Sequence, residues 1–428
     1  MHVRSSSILP CAALALLTWL AAGCANQPAS VPTAPAPLPP LSKVTVSPAT
    51  DTLVAGQSAV FTATALDTLG AVVGYATFVW TSTNPAAFAV DGHGNVQALA
   101  EGSGLVVASA GGFSDSATVA VIVQRGWYMQ TSQTSNDLNG VFFLPDRTHG
   151  WAVGSAGRIV ATTNAGASWS QQVSNSGFNL NAVWFTGPDS GWVVGAAGAV
   201  LRTVNGGMTW TQVTSNAGEN LLDVWFATRD TGWVVGANGV VLRTFDRGAT
   251  WQRKTPTSFD LQSVSFAGTR DGWAVGNGGV ILGTHDRGIS WYIVQPSITA
   301  QALNAVWRSA TPAPWAVGDG TAWAAGQSGA TPRAVATADS LMWELDNAGA
   351  SNNLLGVCYP SDRIGYAVGY NSGGVGLVLR TDDGGVTWQT QSPNTQFRLK
   401  DVFFTDPLNG WAVGRNGTIL HTSSGGLP

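Results

Sequence analysis

Two carboxylates flanking a scissile bond are the usual device for cleaving glycosides, one protonating the leaving oxygen and the other activating water or attacking directly. The 428-residue chain is poor in such pairs. Beyond residue 126 it has only two glutamates, Glu219 and Glu344, both in stretches that read as loops. A tyrosine nucleophile with an acidic partner and an arginine cluster is the other route. Most of Tyr128, Tyr292, Tyr359, Tyr366 and Tyr370 fall at positions of an internal repeat that packing explains. Arg202, Arg243 and Arg380 share one repeat position and read as a structural rank rather than a substrate clamp. His93, His149, His285 and His421 lie far apart, without metal-ligand spacing. Gly195-Ala196-Ala197-Gly198 reads as a turn between strands, with no helix after it to receive a phosphate, and no Gly-x-Ser-x-Gly elbow occurs. The chain therefore reads as non-catalytic, with no metal and no cofactor.

Composition says what the elements are. Only 10% of residues are charged, 44% are hydrophobic, and Gly (53) and Trp (19) are in excess. Disordered chains are charge-rich and aromatic-poor, and a coiled coil needs the Glu and Lys that are scarce here. A net charge of −4 gives no polyanion-binding surface, so no nucleic-acid partner is expected. Gly-punctuated, aromatic-rich β structure is predicted throughout.

The N-terminus is an address. Ile8 to Leu20 is an apolar run behind Arg4, too short to span a bilayer and right for a secretory signal. Leu20-Ala21-Ala22-Gly23-Cys24 resembles a bacterial lipobox, which implies a signal peptide over 1–23 and lipidation of Cys24. Ala25 after the Cys favours sorting to the outer membrane of the cell envelope. Cys11 leaves with the signal, and Cys358, without a partner, reads as a small buried hydrophobe. Residues 24–42 carry six prolines between 26 and 41 and form an extended tether.

Short alternating segments separated by Gly and Asp fill residues 43–123 and predict a β-sandwich. Asp67-Thr68-Leu69-Gly70, Trp80-Thr81-Ser82-Thr83-Asn84 and Val90-Asp91-Gly92-His93-Gly94-Asn95-Val96 resemble the bacterial Ig-like domain, group 2. The resemblance implies a spacer or adhesion module without catalysis. Trp80 is expected to anchor its core, and His93 to sit in a surface turn.

Residues 126–428 repeat seven times. Gly-Trp-Ala/Val-Val-Gly recurs at Gly150, Gly191, Gly232, Gly272 and Gly410, with variants starting at Pro314 and Gly365. A Leu-x-x-Val-x-aromatic strand precedes each copy, an apolar strand follows, and a Trp-headed strand ends the unit. Four short strands in about 41 residues is the period of a propeller blade. The seventh unit lacks its Trp-headed strand, and an orphan strand, Trp127-Tyr128-Met129-Gln130, precedes the first. The fold class is thus all-β: an Ig-like sandwich, then a seven-bladed β-propeller whose N-terminal strand closes the last blade.

The turns between third and fourth strands read Thr-x-Asn/Asp-x-Gly-x-x-Trp, with Asn164, Asn205, Asp246, Asp286 and Asp383 as capping residues. They resemble the Asp-boxes of BNR and sortilin-type propellers, where the box is structural. Leu379 to Trp388 together with Gly-Trp-Ala-Val-Gly resembles the photosystem II stability/assembly factor propellers. That resemblance covers all seven units and implies a propeller that binds a membrane-protein assembly intermediate and does no chemistry. The added Ig-like module and the nearly balanced charge of this propeller depart from the family, so its basic binding surface does not carry over automatically.

Binding is expected on the face made of second-to-third-strand turns and interblade loops. Its aromatic and arginine residues, Trp323, Tyr370, Phe397, Arg398 and Arg415, form the candidate patch. The partner is a protein of an envelope complex, reached by a lipid-anchored chain; the alternatives are a glycan or cell-surface ligand and, third, a sialidase-like hydrolase.

Overall fold

The computed structural model describes residues 40–294, 300–308, 322–326, 330–336, 341–347 and 352–428, with backbone alone described over 308 and 322–347. The lipobox with Cys24, the tether to Pro39 and the Pro314–Gly318 motif lie outside the described residues.

Leu41 to Ile122 form a sandwich of short sheets. One sheet pairs Leu41–Ser47 with Thr62–Asp67. A four-stranded sheet orders Thr50–Val54, Phe113–Ile122, Gly102–Ala110 and Val79–Ser82, and a three-stranded one orders Ser58–Val60, Asn95–Ala98 and Phe88–Val90. Alternation along each strand sends Phe61, Phe88, Val96, Val106 and Val119 into one core. Trp80 does not anchor that core: it sits on an edge strand, half-buried, with its ring against Gly94. Phe61 and Phe88 hold the centre instead. His93 is exposed, in a turn capped by Asp91 Oδ1, which accepts the His93 and Asn95 amides at 2.8 and 2.9 Å.

Seven four-stranded sheets follow. Blades one to four take their inner strands from Leu138–Phe143, Leu180–Phe185, Leu221–Phe226 and Leu261–Ala267. Blades five to seven take theirs from Leu303–Arg308, Asn353–Cys358 and Leu399–Phe404. Closure follows the complementary ends of the sequence: Tyr128–Gln130 is the outer strand of blade seven, with Tyr128 opposite His421 and Gln130 opposite Ile419.

The repeat residues explain why blades stack. In five blades the second-strand aromatic lies flat on the first-strand aromatic of the next blade, as Trp151 on Phe185 at 3.5 Å, Trp192 on Phe226 at 3.7 Å and Tyr366 on Phe404 at 3.6 Å. Trp411 on Phe143 at 3.5 Å carries the stack across the closure. The fourth-strand Trp meets the same ring edge-on, as Trp210 meets Phe185. The indole N–H of Trp192 donates to Arg247 O in the next blade's box at 2.9 Å. In every blade but the fifth, the Gly at the start of the second strand lies under its own blade's ring: a Cβ at Gly191 would stand 2.4 Å from Phe185.

Blade five departs from the expectation. Its second strand is Ala322–Gly326, with Trp323 opposite Trp307, as Trp192 is opposite Trp184. Ala322-Trp323-Ala324-Ala325-Gly326 therefore takes the place expected for Pro314-Trp315-Ala316-Val317-Gly318. Trp323 holds a repeat strand position and not a loop position; its side chain lies outside the described residues.

Candidate functional site

Strand register assigns each residue to a pole of the propeller. The start of every inner strand pairs with the end of the second, as Leu180 with Gly195, beside the second-to-third turn. The end of the inner strand pairs with the start of the second, as Phe185 with Gly191, which also faces Thr203 where the Asp-box begins. One pole thus carries the second-to-third turns and interblade loops, and the other the Asp-boxes.

The boxes are turn caps. Each Thr hydroxyl donates to its Asx, and that Asx oxygen accepts the backbone N–H four residues on: Asn164 from Ser168, Asn205 from Thr209, Asp246 from Thr250, Asp286 from Ser290 and Asp383 from Thr387, all at 2.9 to 3.0 Å. Burial opposes ionisation of Asp286 and Asp383, but the hydrogen bonds from Ser290 and Thr387 and their neighbours win and hold both carboxyls down to about 2.

A ring of aromatics narrows the central channel. Phe142, Trp184, Trp225, Trp307 and Phe403 form a closed ring of aromatics toward the Asp-box pole, with successive centroids 4.9, 4.2, 5.6, 5.9 and 4.8 Å apart. Above it is a cavity of about 70 Å³ that Asp223 and Asp401 help to line. That is room for about two waters, not an organic ligand.

Both carboxyls sit where the inner strand bulges, between Leu221 and Asp223 and between Leu399 and Asp401. Asp401 accepts its own blade's Val402 amide at 2.8 Å and the next blade's Val141 amide at 2.9 Å. Asp223 does the same with Val224 and Val264 and accepts the Ser263 hydroxyl at 2.8 Å. Enclosure by the blades pushes Asp223 up to about 6 and Asp401 up to about 7. These residues staple neighbouring blades. Sequence reading missed them; the signal was an acid at an inner-strand position that is Gly, Ala or Ser elsewhere.

The opposite pole departs from its own rule most sharply at the seam between blades six and seven. In four blades the second-to-third turn is capped by an Asx of the following blade: Asn179 holds the Ala156 amide at 3.0 Å, Asn220 Ala197 at 3.1 Å, Asp260 Asn238 at 2.8 Å and Asp137 Asn416 at 3.0 Å. Between blades six and seven that position is Arg398. The blade-six turn is longer and caps itself, Asn371 Oδ1 accepting the Gly373 and Val375 amides. Arg398 is freed to lie over the Tyr370 ring at 4.1 Å.

Phe397, 42% exposed, precedes Arg398. Arg415 stands in the blade-seven turn, its backbone N–H on Arg398 O at 3.0 Å and its guanidinium 3.9 Å from Asp137. Four of the five expected patch residues thus meet at one seam, and Trp323 is not among them. One further cation stands beside them, on the blade-one side of blade seven. Lys400 donates to Asp137 at 3.0 Å and to Asn139 at 2.7 Å. Its signal was a Lys at a position where Asn, Leu or Gln stands in the other blades. Lys400 and Arg415 share the one carboxylate of Asp137 while Arg398 lies on Tyr370, so three cations against one acid make this corner basic on a nearly neutral propeller.

The candidates for chemistry do not converge here. Glu219 is bound to Arg253. Arg243 donates to Gln252 in its own blade at 2.9 Å, and Arg380 to Gly425 O of the next blade at 3.0 Å. Cys358 is buried, its thiol pushed well above the ordinary range by enclosure. Among the described residues no group of three or more His, Cys, Asp or Glu is placed to hold a metal.

Comparison with known proteins agrees with this architecture. The family model for photosynthesis system II assembly factor YCF48 matches residues 119–217, 213–299 and 335–427, and that for the bacterial Ig-like domain (group 2) matches 40–121. The photosystem II assembly lipoprotein Ycf48 of Synechococcus sp. (strain CC9902) is 32% identical over 105 residues, 24% of this chain and 30% of that protein. A structure of YCF48 bound to a D1 peptide superposes with a TM-score of 0.58 at 21% identity, covering 71% of this chain and 98% of that one. YCF48 from Cyanidioschyzon merolae gives 0.56 at 21%, covering 69% and 98%. The WD40 propeller of Doa1 gives 0.54 at 10%, covering 70% and 97%, a likeness of fold alone. With its matches spanning more than half of the sequence and all four strands of the closing blade in place, the chain belongs to the photosynthesis system II assembly factor YCF48 family, and it carries a group 2 bacterial Ig-like domain ahead of the propeller.

Proposed function

We propose that this chain is a lipid-anchored, protein-binding propeller that assists assembly or stability of a membrane complex, as a photosystem II assembly factor does. In this reading residues 1–23 are removed, Cys24 carries the lipid, 24–42 tether, 43–123 space, and 126–428 bind. Ala25 after the lipid-bearing Cys favours the outer membrane. The relative named as an assembly lipoprotein and the family member held with a D1 peptide support a protein as the partner.

The observation that carries the reading is the seam between blades six and seven. There the repeat gives up a capping Asx to present Arg398 stacked on Tyr370, beside exposed Phe397 and the cations Lys400 and Arg415. Aromatic and Arg residues dominate binding hot spots, and a stacked, pre-oriented guanidinium loses less entropy on binding. The test is affinity capture from gently solubilised envelopes with wild type, Cys24→Ala and Tyr370→Ala/Arg398→Ala. Enrichment of one membrane complex that the double variant loses supports the reading. Capture unchanged by the double variant removes the seam from it, and retention on glycans instead of protein moves the chain to cell-surface adhesion.

A further inference from the structure

At the Asp-box pole, blade four departs from the repeat at three places together. Arg202, Arg243 and Arg380 occupy one third-strand position in their blades; in blade four that position is Gly283. Its cross-strand partner, Thr211, Gln252 or Gln389 in the blades that carry the Arg and Tyr128 opposite His421 in blade seven, is Tyr292. The residue after the box Thr, Val204 or Phe245 in the two preceding blades, is His285.

The changes fit one another. A Cβ at position 283 would stand 2.4 Å from Tyr292 Cζ and 2.5 Å from its hydroxyl, so only glycine lets the phenol cross the strand. Having crossed, the Tyr292 hydroxyl reaches His285 Nε2 at 2.8 Å. His285 Nδ1 lies 3.1 Å from Asp271 Oδ1, at the start of the second strand. A carboxylate only accepts, so Nδ1 carries the imidazole proton and Nε2 presents a lone pair to the phenol. That is the order nucleophile, base, orienting acid on which activated hydroxyls depend. Arg270 donates from Nε to the His285 carbonyl at 2.8 Å and fixes the turn that carries the base. Tyr292 as a whole is 41% exposed.

We propose that Tyr292 is an acyl-acceptor site, taking an acyl group from an activated carboxylic ester with His285 as general base and Asp271 as a positioning residue. The Tyr292 oxygen bonds to the ester carbonyl carbon while its proton passes to His285 Nε2. The carbon–oxygen bond to the leaving alcohol then breaks, and that oxygen takes the proton back from His285. The products are an aryl ester at Tyr292 and the free alcohol, with no change of oxidation state. The site lies on the pole opposite Arg398 and does not depend on the binding proposed there.

The test treats the full chain with 4-nitrophenyl acetate and follows acetylation residue by residue by peptide mass spectrometry. Tyr75 of the Ig-like domain, 47% exposed, is the comparison within the same molecule. A general base contributes about 10²-fold or more, so Tyr292 is expected to acetylate on the order of 100 times faster than Tyr75. His285→Gln should return it to the Tyr75 rate. Asp271→Asn should slow it and Asp271→Glu restore part of the rate, with the Tyr75 rate and the unfolding midpoint unchanged. Equal rates at Tyr292 and Tyr75 in wild type, which needs no variant to fold, would overturn the proposal. So would a Tyr292 rate indifferent to His285→Gln.

Discussion

Arg398 and Tyr370 carry the binding account at the scale of single residues. Truncating either should cost about 2 kcal/mol of partner affinity, roughly 30-fold, with folding stability moved by less than about 0.5 kcal/mol. Arg398→Lys should not rescue binding, because an ammonium lacks the planar face that lies on the ring. Titration calorimetry or surface binding with the captured partner reads all three. Asp401 makes a different prediction, about pH. Its carboxyl is raised in the folded state, so the fold binds this proton more tightly than the unfolded chain does, and its contribution falls as pH rises from about 4 through about 7. His421 opposes it over part of that range: burial lowers its imidazole to about 3, so the unfolded chain takes up that proton first as pH falls. Comparing wild type with Asp401→Asn cancels the His421 share. Between pH 5 and pH 8 the stability difference should move in favour of the variant by on the order of 2 kcal/mol, read by denaturant unfolding at each pH. The box residues Asp286 and Asp383, held near 2, lose their contribution only below about pH 4 and leave that window clear.

At the scale of elements, the ring depends on a three-residue strand. Tyr128–Gln130 pairs with Ile419–His421, and the preceding Trp127 is fully buried against Phe404, its indole N–H on Gln391 at 2.8 Å. Trp127→Ala should cost about 3–5 kcal/mol in urea unfolding. Deleting 126–131 should abolish a single cooperative transition, because it also leaves the Ile419–Thr422 strand as an open edge. This closure was legible in the sequence because the missing Trp strand of unit seven and the orphan ahead of unit one complement each other. Blade five was not legible in the same way. Pro314-Trp315-Ala316-Val317-Gly318 matches the repeat more literally, and only strand register selects Ala322–Gly326. Trp80 was misread because a large aromatic does not announce whether its strand is central or at an edge. The Tyr370, Phe397, Arg398 and Arg415 neighbourhood followed from repeat positions, whereas the stacking of Arg398 and the lysine at its side needed the seam in three dimensions.

For the whole molecule, the proposed function gives the two poles separate roles. The Asp-box pole is a rim of self-capped turns, and the other pole presents the basic, aromatic seam. If Cys24 holds the lipid, Cys24→Ala should shift the protein from the membrane fraction to the soluble fraction while leaving its propeller intact, read by fractionation and near-ultraviolet circular dichroism of the tryptophans. The most direct test of the central claim asks which pole meets the partner. A photo-crosslinking phenylalanine analogue placed at Phe397, and separately at exposed Met208 on the Asp-box pole, is irradiated in intact membranes. The account predicts a discrete crosslink from position 397 to a subunit of a membrane complex and none from position 208. A crosslink from position 208 alone, or equal yields from both, would contradict it.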